Sequence, residues 1–520
     1  MRGVLVYTPE RYFMSLDPAT FAPTLAWAPL KAEDWNRECA RHLLHRIEFS
    51  ATPDRVEAAF KLGLQGTLEQ AFGSIRPFTP PASMADYVQK RDALVQERGA
   101  LGPRRGGPPP AAGGLPPQRQ INMDINQLER QAFLEYVQAW LSFARQPENS
   151  AQENLVMCLG NVLVVAQSKV KDPSRISSYN DLLRTSWQKS YLDMCKAVMY
   201  SPAMIQYLDL NTSLVGVPNE NFARELMELF TLGEGHYTEN DVKEAARALT
   251  GIVVQNEQGV FARRRWDPGI KTIYGKSGTW GAEDVVDLIF TQPAASLNFP
   301  KRFLTYYLSQ EALPMPYLQE LGDQWKRHSW RVDQLARLVF SSNLFYRPEF
   351  RGALIKSPIQ YYLGLCQDLN LDVSPFEGQV YQTLRSMGQE PFNPPNVRGW
   401  LSGKNWINSS TLAARRQLVQ QMFNPPNERG LTADLLAKLG QARAAGHGVL
   451  AVSNERLNSL TSKPDDELAD TLLNYYLAGK THEAYRSDIV DYLQNDQGQR
   501  LELVRDVAMA LFQSPEYHVC

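Results

Sequence analysis

The sequence predicts an all-α fold: a large multi-helical globular domain carrying one small β-hairpin at about 251–265. Three observations lead there. Apolar residues recur at helical spacing over most of the chain, as at Phe222, Leu226, Leu229 and Phe230. Capping starts such as Thr52-Pro53-Asp54, and stops such as Gly251, divide this pattern into helix-sized pieces. Only Gly251 to Arg265 departs from it, with IVVQ and VFARRR flanking Asn256-Glu257-Gln258-Gly259 in the manner of a hairpin.

Taken in order, Met1 to Arg11 has an early arginine but no apolar stretch followed by small residues. The expectation is a cytoplasmic protein without a secretory signal. Residues 1–97 form an N-terminal helical part, in which Trp35 to Phe72 reads as two helices. Residues 98–118, RGALGPRRGGPPPAAGGLPPQ, hold too much Gly and Pro for a helix and too few large apolar groups to pack, so a disordered insertion is expected. Residues 119–520 form the main helical body. Within it the apolar run Leu155 to Ala166, interrupted by Gly160 and Asn161, is well short of the ~20 residues that cross a bilayer and reads as a buried helix. Helix ends at Ser201-Pro202, Ser341-Ser342 and Ser514-Pro515 share a stop but no fixed period, so no solenoid is indicated.

Composition excludes several classes. With 520 residues, 43% of them hydrophobic and a formal charge of −2, the chain has ample core and no bulk attraction for nucleic acid or acidic lipid. Cys39, Cys158, Cys195, Cys366 and Cys520 are widely spaced without a C-x-x-C pair, which argues for reduced core thiols and against a disulfide framework or zinc knuckle. No histidine pair has H-E-x-x-H spacing, so no transition-metal site and no resident cofactor are expected. Gly269 and Gly275 enclose five residues before Lys276-Ser277, one too many for a phosphate loop, and Thr279 spoils a G-x-S-x-G elbow. Arg263-Arg264-Arg265 reads as a solvated strand end.

The most distinctive stretch is Pro218 to Gly233. Its apolar face is backed by Glu220, Arg224 and Glu228 at i, i+4, i+8, which for an average helix is a solvated ion-pair ladder. Gly233 and Gly235 turn the chain past His236, Thr238 with Asp241 forms a capping box, and Val242, Ala245, Ala246 and Leu249 make the buried face of the next helix. The whole run, PNENFARELMELFTLGEGHYTENDVKEAARALTG, resembles the signature of the bacterial domain-of-unknown-function family 1800. His42-Leu43-Leu44-His45-Arg46, Trp266-Asp267-Pro268-Gly269-Ile270-Lys271, Asn393 to Trp400, and Trp406 to Thr411 follow in the same order as in that family.

The resemblance implies a predominantly helical fold and supplies no reaction. It also exposes three departures. Where the family usually has histidines in W-x-N-H-F, H-D-P-G-x-K and an H-P dipeptide, this chain has Val162, Trp266 and Gln292. Neither Val nor Trp binds a metal or carries a proton. A site built on those histidines is therefore lost here, unless they served the family only as structural hydrogen bonders. The ladder is expected to be at least partly buried, because the signature specifies its charges together with the scaffold.

Two functions compete. One is a divergent, non-catalytic member that binds another protein. The other is an enzyme whose carboxylates and amides act on a saccharide or a phosphorylated substrate. Its candidates are Asn219, Glu220, Arg224, Glu225, Glu228, His236, Asp267 and Lys271 around the signature, with Asn396, Trp400, Trp406 and Asn408 in the later loop, where tryptophan faces beside amides suit a sugar or planar ligand. Whether these groups line a cleft or face open water separates the two.

Overall fold

The computed structural model describes residues 16, 18–101, 116–374, 377–425, 428–444, 452, 454–479 and 483–520. Helix follows helix from Arg37–Ile47 to Arg500–Phe512, and one buried apolar cluster joins Trp27 to Tyr517. Among the described residues no helix is long and apolar enough to cross a membrane, and all five cysteines are buried and unbridged.

At the centre stands Pro147–Gly160, whose polar face is as buried as its apolar one: Gln152, Glu153 and Asn154 are fully covered. Burial is tolerated because every one of them is bonded. Gln152 exchanges bonds with the Arg76 backbone. Glu153 pairs with Arg184 on the neighbouring helix Pro173–Ser186. Asn154 donates to the carbonyls of Arg46 and Ile47 and accepts from Tyr306 and Gln360, so it holds three further elements. The expected helix from Leu155 onward stops at Gly160; Asn161 to Ala166 turns and then runs on without helix, and its apolar side chains remain buried.

The expected insertion is trimmed at both margins. Residues 98–100 finish the helix Ser83–Ala100, and 117–118 begin Pro117–Ala144, which packs on it. Residues 102–115 lie outside the described residues.

The expected hairpin forms, Ile252–Gln255 against Gln258–Phe261, with Val253 opposite Val260. Its turn is shorter than expected. Asn256 and Glu257 both adopt positive φ (48° and 58°), giving the two-residue turn whose twist matches that of paired strands. Arg263–Arg265 winds as an exposed 3₁₀ turn and not as a strand end. A second hairpin, Lys271–Ile273 with Lys276–Gly278, was not expected; it turns at Tyr274 and at Gly275, the second of the two glycines that imitate a phosphate loop.

Candidate functional site

The signature opens with Asn219, whose side chain accepts from the Asn221 backbone (2.9 Å) and donates to Thr212 (3.0 Å), fixing the start of the helix Asn221–Glu225. That helix then widens, and Leu226–Thr231 winds as a π-helix. Such a widened turn needs outside partners for its carbonyls, and it has them. Asn298 donates to Leu229 (3.2 Å), Tyr191 donates to Phe230 (2.8 Å), and the Thr231 hydroxyl reaches Leu226.

The extra residue in the turn rotates Glu228 out of the expected ladder. Arg224 bridges Glu220 (3.2 Å) and Glu239 (2.7 Å), while Glu228 accepts from the Tyr237 hydroxyl (2.5 Å) and from Arg398 (3.0 Å). Only Glu228 is well covered, its side chain 17% exposed against 33% for Arg224 and 38% for Glu220. Beside it Glu225 is half-buried, and no described residue hydrogen-bonds its carboxyl. Burial, then the charge of Glu228, holds that carboxyl above its ordinary value. His236 is exposed on the turn.

Arg398 carries the signature across to the later loop, where a clasp forms. Asn161, at the end of the central helix, accepts from the Trp400 amide (2.7 Å) and donates to its carbonyl (3.4 Å). Arg302 donates to the carbonyls of Asn161 (2.7 Å) and Arg398 (3.2 Å). Gly399 sits between them at φ 83°, and a Cβ there would lie 2.3 Å from the Asn161 side-chain oxygen, so the contact requires glycine. Asn396 braces the same turn by accepting from the Arg398 amide (2.9 Å).

The clasp holds Trp400 over a cleft. Trp140, Tyr179, Phe392, Trp400 and Trp406 supply its aromatic lining, and Asn161, Gln310, Gln360, Gln389 and Arg46 its polar groups; the cavity is about 100 Å³. Most of the amides are spent on the chain. Gln360 closes the capping box of Pro358–Asp368, and Gln310 bonds Ser402 and the Thr305 carbonyl. Gln389 accepts from the Ile359 amide (3.0 Å), leaving its NH₂ group unused among the described residues. Arg46, 2% exposed, donates to the carbonyls of Tyr307 and Phe350 and has no partner for Nε.

The family model described as "Protein of unknown function (DUF1800)" matches residues 42–519. The chain belongs to the DUF1800 family. No curated protein and no solved structure matches it.

Three pieces of the DUF1800 resemblance therefore meet at one place: the Asn161 turn, the π-turn with Glu228, and the loop Asn393 to Trp400. The Trp266-to-Lys271 piece does not join them. It forms a knot of its own in which Arg247 binds Asp267 (2.7 Å) and Glu244, and fully buried Lys271 donates to the carbonyls of Asp267 (2.6 Å) and Gly269 (2.9 Å) beneath the Trp266 ring. Arg247 holds the Asp267 carboxyl below its ordinary range. Asn408 is also structural, capping Ser409–Phe423 through the amides of Ser410 and Thr411.

The three positions that depart from the family's histidines lie in different surroundings. Val162 is in the core, Trp266 packs on Phe261 and Lys271, and Gln292 bonds back to the end of the preceding helix Ala282–Phe290 at Leu288. Among the described residues no group of three His, Cys, Asp or Glu gathers to hold a metal ion. Sequence reasoning reached Trp400 and Trp406 but missed Arg46, Gln389 and Arg302. Arg46 stood in a matched motif, His42 to Arg46, and an arginine on the buried face of an amphipathic helix was the available signal. Nothing local marks Gln389 or Arg302.

Proposed function

We propose that this DUF1800 protein acts by binding a small ring-bearing ligand in the cleft beneath Trp400, and not by catalysing a reaction. The observation that carries this reading is the convergence of Trp140, Trp400 and Trp406 on a cavity also lined by Arg46, whose buried Nε has no partner. Aromatic walls offer stacking to a sugar or planar ring, and a few placed donors fix its polar end. The signature's own polar groups support the non-catalytic half of the reading. Arg224, Asp267, Lys271, Asn219 and Asn408 are bonded to the chain itself, and His236 is exposed on its turn. A small ligand replaces the expected protein partner because the aromatic and polar groups converge in a cleft and not on an open face.

Benzoate is a suitable first probe, having a ring for the tryptophans and a carboxylate for Arg46, with glucose as the saccharide arm. With the tryptophans fluorinated, ¹⁹F NMR should show saturable shifts at Trp140, Trp400 and Trp406 with one of the two probes, at a dissociation constant of about 1 mM, equivalent to about −4 kcal/mol. Trp27, Trp187 and Trp325, buried elsewhere in the core, should stay fixed. Shifts of equal size at all six, or none with either probe, would contradict the reading.

A further inference from the structure

Behind the cleft lies a group of buried basic side chains with unfilled nitrogens. Lys356, Arg415 and His518 are 2%, 0% and 4% exposed. The Lys356 ammonium, Arg415 Nε and Nη1, and His518 Nε2 find no hydrogen-bond partner, nor do the two ring nitrogens of His45 or Nε of Arg46. These residues are neighbours. The remaining Arg415 nitrogen donates to the Lys356 carbonyl (2.8 Å), the Lys356 amide donates to the His518 carbonyl (2.8 Å), and the His518 ring lies 5.0 Å from that of Tyr361, over which Arg415 is stacked at 4.8 Å.

Protein groups balance this charge only in part. Asp368, which accepts from the Ser50 and Tyr517 hydroxyls, and Cys520 favour the Lys356 charge through space, yet the ammonium itself has no hydrogen-bond partner among the described residues. The faces of Tyr517 and Tyr361 stabilise the two cations from one side, at 4.0 and 4.8 Å, yet a ring face leaves the outward N–H groups unfilled. A buried cation without hydrogen bonds is among the most costly arrangements a fold can hold. Burial accordingly lowers the Lys356 ammonium and, in Arg415, brings the guanidinium down to about 10.

We propose that Lys356, Arg415 and His518, with His45 and Arg46 beside them, form a binding site for a small tetrahedral oxyanion, phosphate or sulfate, free or as the head group of a small molecule. Separate elements supply the donors: the extended stretch before Pro358–Asp368, the helix Ser409–Phe423, and the turn Pro515–His518. A tetrahedral anion presents separate oxygens to donors arriving from different directions, and its charge answers the surplus of cations. Arg46, Leu354, Ile355, Ser357 and Cys520, close chain neighbours of these residues, line the cleft, which places the group directly behind its wall.

The test uses the full chain, dialysed free of oxyanions, with inorganic phosphate titrated at constant ionic strength set by sodium chloride and followed by ³¹P NMR and by thermal midpoint. Saturable phosphate binding, displaced by sulfate and weakened at least tenfold in Lys356→Met and in Arg415→Met, is expected. Without phosphate, Lys356→Met should melt no lower than wild type, because it removes a buried ammonium that makes no hydrogen bond, and phosphate should raise only the wild-type midpoint. Absence of saturable binding to wild type, binding that sulfate fails to displace, or equal affinity in the folded variants would overturn the assignment. The sulfate competition needs wild type alone, so it decides even if a variant does not fold.

Discussion

Arg184→Ala is expected to lower stability by about 3–5 kcal/mol, the cost of stranding a buried charge. Arg184 and Glu153 are both fully buried, joined by two bonds of 2.7 and 2.8 Å. Burial alone opposes the Arg184 charge; the Glu153 bonds outweigh it and hold the guanidinium above its ordinary value. The alanine variant leaves the Glu153 carboxylate in the core with only Trp140 (2.8 Å) and Gln152 (3.1 Å) as donors. Because Trp140, Asn180 and Leu183 line the cleft, the loss would also loosen its wall. A urea midpoint measures it. The double change Glu153→Leu with Arg184→Met should recover most of the loss, since it removes both charges. A single variant within about 1 kcal/mol of wild type would show that the pair contributes little.

Acid should destabilise the protein steeply below about pH 6.5, the ordinary value of a histidine in the unfolded chain. His42, His45 and His518 are buried. Burial comes first in lowering each, followed by the charge of Arg46 for His42, Lys356 for His45 and Arg415 for His518; His518 is brought down to about 3. Their folded-state values lie below the unfolded ones, so the unfolded chain binds the extra protons. The stability they contribute is present above pH 6.5 and is lost as pH falls. Each costs about 1.4 kcal/mol per pH unit in that window, hence about 4 kcal/mol per unit for the three. Denaturant midpoints between pH 7 and pH 5 in a buffer free of phosphate and sulfate test this. His518→Phe should remove about a third of the slope, and a flat profile would contradict it.

Local chemistry made much of the fold legible. The Thr238 and Asp241 capping box, the apolar face of Glu239–Ala248 and the buried Phe222, Leu226, Leu229 and Phe230 are where the spacing places them. A rule built on 3.6 residues per turn cannot announce a π-turn, so the Glu220-Arg224-Glu228 ladder was misread beyond Arg224. The reason for the π-turn lies in Tyr191 and Asn298, far along the chain. The second hairpin is hidden because Gly275-Lys276-Ser277 reads as a near miss of a phosphate loop and of a nucleophile elbow, which draws attention from its turn. The cleft depends on partners hundreds of residues apart, such as Asn161 with Trp400, and no local pattern encodes that meeting. The same holds for the buried basic groups, whose positions look ordinary until Lys356, Arg415 and His518 are brought together.

The most direct test of the central claim is the benzoate or glucose dissociation constant of Asn161→Ala beside that of wild type, using whichever probe the wild type binds. Asn161 positions Trp400 without needing to touch the ligand, through its bonds to the Trp400 amide and carbonyl. Loss of the clasp should free the loop and weaken binding at least tenfold, about 1.4 kcal/mol. The ¹⁹F signal of Trp400 should broaden or move before any ligand is added, while those of Trp27, Trp187 and Trp325 stay in place. An unchanged dissociation constant in a folded Asn161→Ala protein would contradict the claim that the clasped Trp400 loop forms the binding site.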